Sequence, residues 1–313
     1  MAAFGALSRA ARRRVRGAAE RLALVLLWWL HRGLPLAWSR RAVRGFAIAL
    51  GGAVRRISAK RVAIARANLR ACFPDLDEAD VETWIARHYR IAAQVFLDYG
   101  LLWFGDETQH RRFIEIEGYE HFAAARSTHS AVVVLAPHAL ALDFGGLRLS
   151  AEALGVSFTK PMKNPRVEAL NRRSRMRYGG LIVHRSEGLR PVFRAMRQGR
   201  FFYYLPDEDL GAEGACFVPF FGVPKATLTA LTRVARISGA AVLPTLSVYD
   251  VERDRYRLMI QPAMHGFPSG DDCADARAMN AAIESLLSLA PEQYLWTMKL
   301  FRTRPPGTSP IYR

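Results

Sequence analysis

Cysteine is scarce in this sequence, which has three thiols in 313 residues: Cys72, Cys216 and Cys273. Their number is odd, and no two of them form a Cys-x-x-Cys pair. Structural zinc sites need closely spaced Cys and His ligands, and disulfide frameworks use even numbers of cysteines. The sequence therefore predicts reduced thiols, no zinc site and a folded body that faces the cytosol.

Long apolar runs are missing as well. The clean apolar run near the amino terminus spans residues 22–30, whereas about 20 residues are needed to cross a bilayer core. His31 and Arg32 interrupt the pattern, so residues 18–38 could span only if both side chains snorkel toward the headgroups. No small-x-small cleavage site supports a signal peptide. A marginal span, an interfacial anchor flanked by tryptophans and a plain soluble helix therefore remain open for this segment.

Acidic residues are nearly absent from residues 1–70, where 16 Lys and Arg face only Glu20. The rest of the chain holds 29 basic and 27 acidic residues, yet residues 160–200 alone hold 12 basic against two acidic ones. Two basic islands predict two anionic targets: a membrane surface at the amino end, and an acidic substrate or carrier near residues 160–200. No nucleic-acid-binding module accompanies the charge, so we expect no nucleic-acid partner.

Apolar patterning predicts an α/β fold with a mixed, largely parallel sheet covered by helices, because short apolar strands alternate with helical stretches. Residues 1–58 form a predicted basic membrane anchor with interfacial helices, and residues 59–313 a predicted catalytic domain. Asp77 is a predicted N-cap, and Asn164-Pro165 a predicted helix start. The predicted strands span residues 131–135, 156–160, 180–183, 201–205, 241–248 and 256–261, and the predicted helices residues 40–56, 60–71, 77–103, 118–126, 188–197, 224–238 and 274–289.

The stretch AVVVLAPHALALDFGG, residues 131–146, predicts a buried strand, a turn and a helix, with His138 in the turn and Asp143 in the first helical turns. Ligands of open α/β sheets bind beyond the carboxyl ends of the strands. A carboxylate that holds one imidazole nitrogen leaves the other free to accept a proton, so this pair is a candidate general base and its partner. The same spacing recurs at His110–Glu115, where neighbouring arginines favour a solvated surface.

Further side chains follow other predicted strands. Arg185 and Asp207 follow the strands at 180–183 and 201–205, so both are expected to converge with His138 on one edge of the sheet. The helix after Asn164-Pro165 carries basic side chains, including Arg175, at i,i+3 and i,i+4 spacing. The apolar segment 216–223 is either a wall for a long hydrophobic ligand or ordinary core. No G-x-S-x-G element indicates a serine nucleophile.

From about Asn68 onward, the sequence resembles the late acyltransferases of lipid A biosynthesis, the lauroyl- and myristoyl-type membrane enzymes of Gram-negative bacteria. Many members carry Glu at the position of Asp143, which keeps a carboxylate there. The resemblance is carried by NLRACFPDL at 68–76, His138-x4-Asp143, Asn164-Pro165 with Arg175, His184-Arg185, YLPDEDLG at 204–211, FVPFFG at 217–222 and the closing PEQYLWTMKLFRTRP.

This resemblance implies the fold of glycerolipid acyltransferases with an N-terminal membrane-associated helix. It implies transfer of a fatty acyl chain from acyl carrier protein, or from coenzyme A, to a hydroxyl of a Kdo2-lipid IVA-type precursor at the cytoplasmic side of the bacterial inner membrane. His138 would be the general base and Asp143 its partner, with Arg175, Asp207 and Arg185 binding substrate. A thioester is already activated, so no cofactor and no metal are expected.

Two other functions remain open from the sequence. One is acylation of a different membrane lipid, such as a lysophospholipid or a glycolipid, by the same chemistry. The other is a non-catalytic, basic protein that binds membranes or nucleic acid through its net charge of +17. An enzyme depends on His138 and Asp143, whereas such a binder would be indifferent to both and would lose affinity steeply with salt.

Overall fold

The computed structural model describes residues 21–22, 24–29, 31–32 and 36–312. The predicted basic stretch of residues 1–20, and parts of the predicted segment 18–38, lie outside these residues. The helices are α1 (Leu36–Ile57), α2 (Ala59–Cys72), α3 (Glu78–Phe104), α4 (Glu107–Phe113), α5 (Tyr119–Thr128), α6 (Leu142–Ser150), α7 (Pro165–Met176), α8 (Arg190–Arg197), α9 (Ala230–Ser238) and α10 (Asp272–Leu287). The strands are β1 (Ile114–Glu117), β2 (Ala131–Leu135), β3 (Gly155–Thr159), β4 (Leu181–His184), β5 (Phe201–Tyr204), β6 (Ala215–Phe220), β7 (Val223–Leu228), β8 (Ala240–Asp250) and β9 (Arg255–Ile260).

A seven-stranded sheet in the order β1-β9-β8-β2-β5-β3-β4 forms the centre of the fold. The five strands from β8 to β4 are parallel, while β9 runs antiparallel to β8 and β1 runs parallel to β9. The predicted mixed, largely parallel sheet covered by helices is therefore confirmed. Two predicted caps are confirmed too, because Asp77 accepts a hydrogen bond from the Asp80 amide and Asn164 caps α7 ahead of Pro165.

The order of the strands places a topological switch between β2 and β5. From β2 the chain crosses over β5 to β3 and β4, and from β5 it returns toward β8. The loops after β2 and β5 therefore leave neighbouring strands in opposite directions. In doubly wound folds this divergence opens a crevice at the carboxyl ends of the strands, where ligands bind.

The helix predicted for residues 224–238 is only half correct. Residues 223–228 form β7, which pairs antiparallel with β6, and only the later residues form α9. The two-residue turn between the strands uses Phe221 and Gly222, both at positive φ, as the commonest hairpin turn requires. Pro224 suggested a helix start, but it is an early residue of β7, opposite Pro219.

Two side chains of the segment 216–223 pack into the core, and none of its residues lines the main cavity of the described structure. Val218 and Phe220 are buried, and Phe220 belongs to the largest apolar cluster. The core alternative is therefore the correct one for these side chains.

The prediction of reduced thiols is wrong for two of the three cysteines. Cys216 in β6 and Cys273 in α10 form a disulfide, with Cα atoms 5.5 Å apart, and Cys72 is free and buried. The two partners are 57 residues apart in sequence. They meet because α10 packs along β6, which no cysteine spacing could indicate.

Helix α1 lies along α3 and is joined to the body by buried ion pairs. The Arg40 guanidinium donates to Asp98 at 2.5 Å and to Asp254 at 3.0 Å. Asp98 also accepts hydrogen bonds from the Tyr256 hydroxyl at 2.7 Å and the Gln94 amide at 2.8 Å. Within the described residues, no helix is both long enough and apolar enough to cross a bilayer. The division of the chain after residue 58 stays a prediction.

Replacing Arg40 with Ala should lower the free energy of unfolding by about 3–5 kcal/mol, because Asp98 would remain buried without its cation. Urea-induced unfolding followed by circular dichroism measures the change. Arg41→Ala is the matched control on the exposed side of the same helix and should shift the free energy by less than about 0.5 kcal/mol. Equal losses in the two variants would contradict the role of the buried pair.

Candidate functional site

A cavity of about 370 Å³ runs along the parallel strands and reaches the loops at their carboxyl ends. It lies between α6 and α7 on one side and β3, β4 and β5 on the other, with one side chain from α3. Much of its wall is apolar, so an alkyl chain fits its character. The lining includes Tyr99, His138, Asp143, Leu147, Val156, Phe158, Lys160, Met162, Arg175, Leu181, Arg185, Phe201, Leu205 and Glu208.

His138 stands in the loop after β2 and is held by Asp207 from the loop after β5. The Asp207 carboxylate accepts two hydrogen bonds from this one residue, from the backbone amide at 2.7 Å and from Nδ1 at 2.6 Å. Because an ionised carboxylate can only accept, Nδ1 carries the proton and Nε2 is left as the basic nitrogen. No residue of the described structure bonds Nε2, and the side chain is 18% exposed to the cavity.

The pKa values of the two partners shift in mutually consistent directions. Burial lowers the pKa of His138, but the charge and hydrogen bond of Asp207 outweigh it, so the pKa is raised overall. Burial would raise the pKa of Asp207, yet the interaction with His138 holds it below its usual value. The pair is therefore a buried carboxylate that stabilises the protonated form of its imidazole partner.

The predicted pairing of His138 with Asp143 is wrong. Asp143 begins α6, and its carboxylate accepts hydrogen bonds from the Tyr99 hydroxyl at 2.7 Å and from Arg175 Nε and Nη2 at 2.9 and 3.1 Å. Five residues of spacing bring both residues to the same cavity but not to each other. Asp207 takes the place beside His138 because β2 and β5 are neighbours in the sheet.

Arg175 and Tyr99 complete a second polar group on the cavity wall. The Asp143 charge raises the pKa of Arg175 against the opposing effect of burial, so the guanidinium stays charged. Tyr99 comes from α3, with its ring 5.5 Å from Trp103 and 6.0 Å from Phe144, centroid to centroid. Tyr99 could not be predicted from the sequence, since an aromatic residue on an amphipathic helix carries no local sign of a polar contact.

The acidic residues of Asp207-Glu208-Asp209 have three separate partners. Asp207 holds His138, and Glu208 accepts a hydrogen bond from Arg185 at 2.7 Å at the rim of the cavity. Asp209 accepts from the backbone amide and the hydroxyl of Thr303 at 2.6 and 2.7 Å, which ties the motif to the carboxyl-terminal segment. Arg185 thus lies at the predicted edge, and Glu208 is a cavity residue that was not predicted from the sequence.

The carboxyl-terminal segment holds the His138 loop from its other side. The amide of Leu295 donates to the carbonyl of His138 at 2.9 Å, and Ala139 and Tyr294 form an isolated antiparallel bridge. Asn68 of α2 in turn donates to the carbonyl of Trp296 at 2.7 Å. The NLRACFPDL element and the closing element therefore act together to fix the loop.

His110, expected on a solvated surface, is fully buried. Its Nδ1 lies 2.7 Å from the hydroxyl of Tyr178, and its Nε2 lies 2.9 Å from the carbonyl of Leu101. The two arginines that follow it made the segment look exposed, but α4 turns His110 inward beneath them. It lies outside the cavity lining, so its spacing to Glu115 has no part in this site.

An imidazole oriented by a buried carboxylate in the wall of a largely apolar cavity, with an arginine in the same wall, defines a site able to deprotonate a hydroxyl beside an alkyl chain. Comparison with known proteins identifies the reaction class. The family model described as bacterial lipid A biosynthesis acyltransferase matches residues 9–303. This chain belongs to that family and is an acyltransferase of lipid A biosynthesis.

Relatives with curated names agree. A lipid A biosynthesis acyltransferase of Haemophilus influenzae is 38% identical over 78% of this chain and 76% of its own length. The lipid A biosynthesis palmitoleoyltransferase of Escherichia coli is 33% identical over 84% of this chain and 86% of its own. The myristoyltransferase of Escherichia coli is 31% identical over 79% and 76% respectively.

Replacing Asp207 with Asn should lower the pKa of His138, because burial would then act on the imidazolium with little to oppose it. Asp143→Asn is the matched control, since it removes a carboxylate of the same cavity that does not touch His138. The His138 ring proton signal, followed by NMR across a pH titration, measures both. A larger shift in the Asp143 variant would restore the pairing predicted from the sequence.

Proposed function

We propose that this acyltransferase moves a fatty acyl chain from an acyl-carrier-protein thioester to a hydroxyl of a Kdo2-lipid IVA-type lipid A precursor, with acyl-CoA as the alternative donor. The observation that carries the proposal is the His138–Asp207 pair, with His138 in the wall of the apolar cavity. The free Nε2 faces the space where a hydroxyl and a thioester would meet, and the apolar wall suits the chain of the donor.

In this proposal His138 is the general base. Its Nε2 takes the proton as the acceptor oxygen attacks the thioester carbonyl, and Asp207 stabilises the imidazolium that forms. When the tetrahedral intermediate collapses, the C–S bond breaks and the imidazolium returns the proton to the departing thiolate. The products are an ester and a free thiol. An activated thioester needs no covalent serine intermediate, cofactor or metal in this scheme.

Arg175 is the proposed binder of negative charge. Its guanidinium can donate to the developing oxyanion or to an acceptor phosphate, and charge-assisted bonds of this kind are strongest in a site shielded from water. Asp143 and Tyr99 hold Arg175 in place. Asp143 is therefore proposed to orient this arginine, and not the general base His138. Arg185, held by Glu208 at the rim, is proposed to contact a second anionic group of the substrate.

Helix α1 is proposed to rest on the cytoplasmic face of the bacterial inner membrane. Its large apolar side chains Trp38, Phe46 and Ile57 are each at least 70% exposed, and Phe96 of α3 is also exposed. Basic residues such as Arg41 share the same helix. Apolar side chains that enter the interface, together with arginines that meet anionic headgroups, are what binds an amphipathic helix to such a surface.

Replacing His138 with Ala should reduce acyl transfer by a factor of about 10²–10⁴, because the hydroxyl would lose its general base. The assay supplies purified protein with acyl-carrier-protein thioester and the lipid A precursor, with circular dichroism as the check on folding. His129→Ala, an exposed histidine, is the matched control and should retain full activity. A lysophospholipid offered as the acceptor should react poorly, and preferred use of it would replace the proposed acceptor.

The carrier protein is proposed to dock on the exposed arginines of α8. Arg190, Arg194 and Arg197 lie at i, i+4 and i+7, so they share one face of the helix, while Val192 and Met196 on the other face are buried. Within the described part of the chain, none of the three arginines pairs with a carboxylate. A stripe of unpaired, exposed arginines suits a partner with an acidic surface, as acyl carrier proteins are expected to have.

Changing Arg190, Arg194 and Arg197 together to Ala should raise the KM for acyl-carrier-protein thioester about tenfold at low salt, since three exposed charge contacts would be lost. The KM for an uncharged acyl-pantetheine donor should stay within about twofold. Arg126→Ala with Arg253→Ala, exposed sites away from the cavity, is the control. A higher KM for the acceptor instead would assign the stripe to lipid binding.

A further inference from the structure

Lys225 in β7 is a buried cation with no role in the reaction steps proposed above. Its side chain is fully buried, and its ammonium has no hydrogen-bond partner within the described structure. The nitrogen lies 5.9 Å from the centroid of the Phe220 ring, a contact that offsets only part of the lost hydration. Burying an unpaired ammonium is unfavourable, so an apolar residue of similar length would suit this position better if packing alone mattered.

Lys225 lies near the His138 loop, because the Phe220 ring that its ammonium contacts is 6.1 Å from the ring of Tyr294, and Tyr294 bridges to Ala139. The charges that act on Lys225 are those of Asp207 and Asp209. Burial lowers the pKa of Lys225, and these two carboxylates act in the opposite direction. The other charged groups on the elements packed around β7 have partners of their own. On α10, Arg277 pairs with Glu284, and Asp275 accepts a hydrogen bond from the Ser269 amide. Arg302 and Arg304 donate to backbone carbonyls, and Arg185 pairs with Glu208. The backbone of Lys225 pairs with strand β6, which carries a disulfide cysteine.

We propose that Lys225 is a positioning residue that acts on His138 through Asp207, as the buried counter-charge of that carboxylate whenever the imidazole is neutral. This inference rests on the proposed function, in which His138 must be neutral to accept a proton. It adds a third member behind the His138–Asp207 pair, contributed by the β6–β7 hairpin.

The charge balance explains the assignment. Protonated His138 neutralises Asp207, but in the proton-accepting form that carboxylate is almost completely buried and needs another cation. Lys225 supplies it, and part of the lowered pKa of Asp207 comes from this ammonium. The fixed positive charge of Lys225 near the pair also opposes protonation of the His138 imidazole. Lys225 therefore favours the neutral form of His138 and offsets part of the increase in the His138 pKa that Asp207 produces.

Replacing Lys225 with Met tests this, because it removes the charge and keeps the approximate length and volume. The acidic limb of the pH–rate profile, where activity rises as His138 loses its proton, should move to higher pH by roughly half a unit to one unit. The same shift should appear in the NMR titration of His138, which needs no turnover. The melting temperature should fall more at a pH above the His138 titration than below it, because above it Asp207 would be left buried without a cation.

Lys299→Met is the matched control. Lys299 also places its ammonium over an aromatic ring, 5.2 Å from the centroid of Tyr312, but it is exposed. This variant should leave the pH profile and the titration of His138 unchanged. An unshifted His138 titration in folded Lys225→Met protein would overturn the inference even if acyl transfer is confirmed. A shifted titration without acyl transfer would support the inference and count against the proposed function.

Discussion

One carboxylate receiving two hydrogen bonds from one residue is the constraint on which this site depends. Asp207 binds both the backbone amide and the Nδ1 of His138, so the ring orientation and the path of the loop are set together. This geometry is possible only because β2 and β5 pair directly, with Leu135 opposite Tyr204 one step before the two loops diverge. The carboxyl-terminal segment closes the loop from the other side through the Leu295 amide. An imidazole loop held at three points loses little entropy when substrate arrives, which is the physical meaning of a preorganised site.

Two other buried ion pairs also fix the arrangement of the elements. The Asp143–Arg175 pair lines the cavity, and the Arg40–Asp98 pair joins α1 to α3. Buried ion pairs contribute little net stability against apolar replacements, but each is costly to break, so they define one arrangement of the elements against others. Here the two pairs set the position of a cavity wall and the attachment of the helix proposed to meet the membrane.

The surfaces divide in a way that suits a reaction between a lipid and a soluble donor. Exposed aromatic and aliphatic side chains lie on α1, whereas the arginine stripe lies on α8, whose buried face packs on the sheet. The cavity lies on the side of the sheet covered by α6 and α7, and residues of α8 do not line it. The surfaces proposed for the membrane and for the carrier protein therefore lie on different helices.

Sequence alone determined the fold class, the helices and strands around the site, and the fact that His138, Arg185 and Asp207 follow strands of one sheet. These features arise from local periodicity and from a general property of parallel sheets, both of which are legible along the chain. Motif order was also sufficient for the family. Tertiary structure alone decided which carboxylate holds His138, that Tyr99 supports Asp143, that Cys216 meets Cys273, and that β6 and β7 pair. Each of these contacts joins residues from separate elements, and the distance between two such side chains depends on strand order and helix packing, which spacing along the chain does not contain.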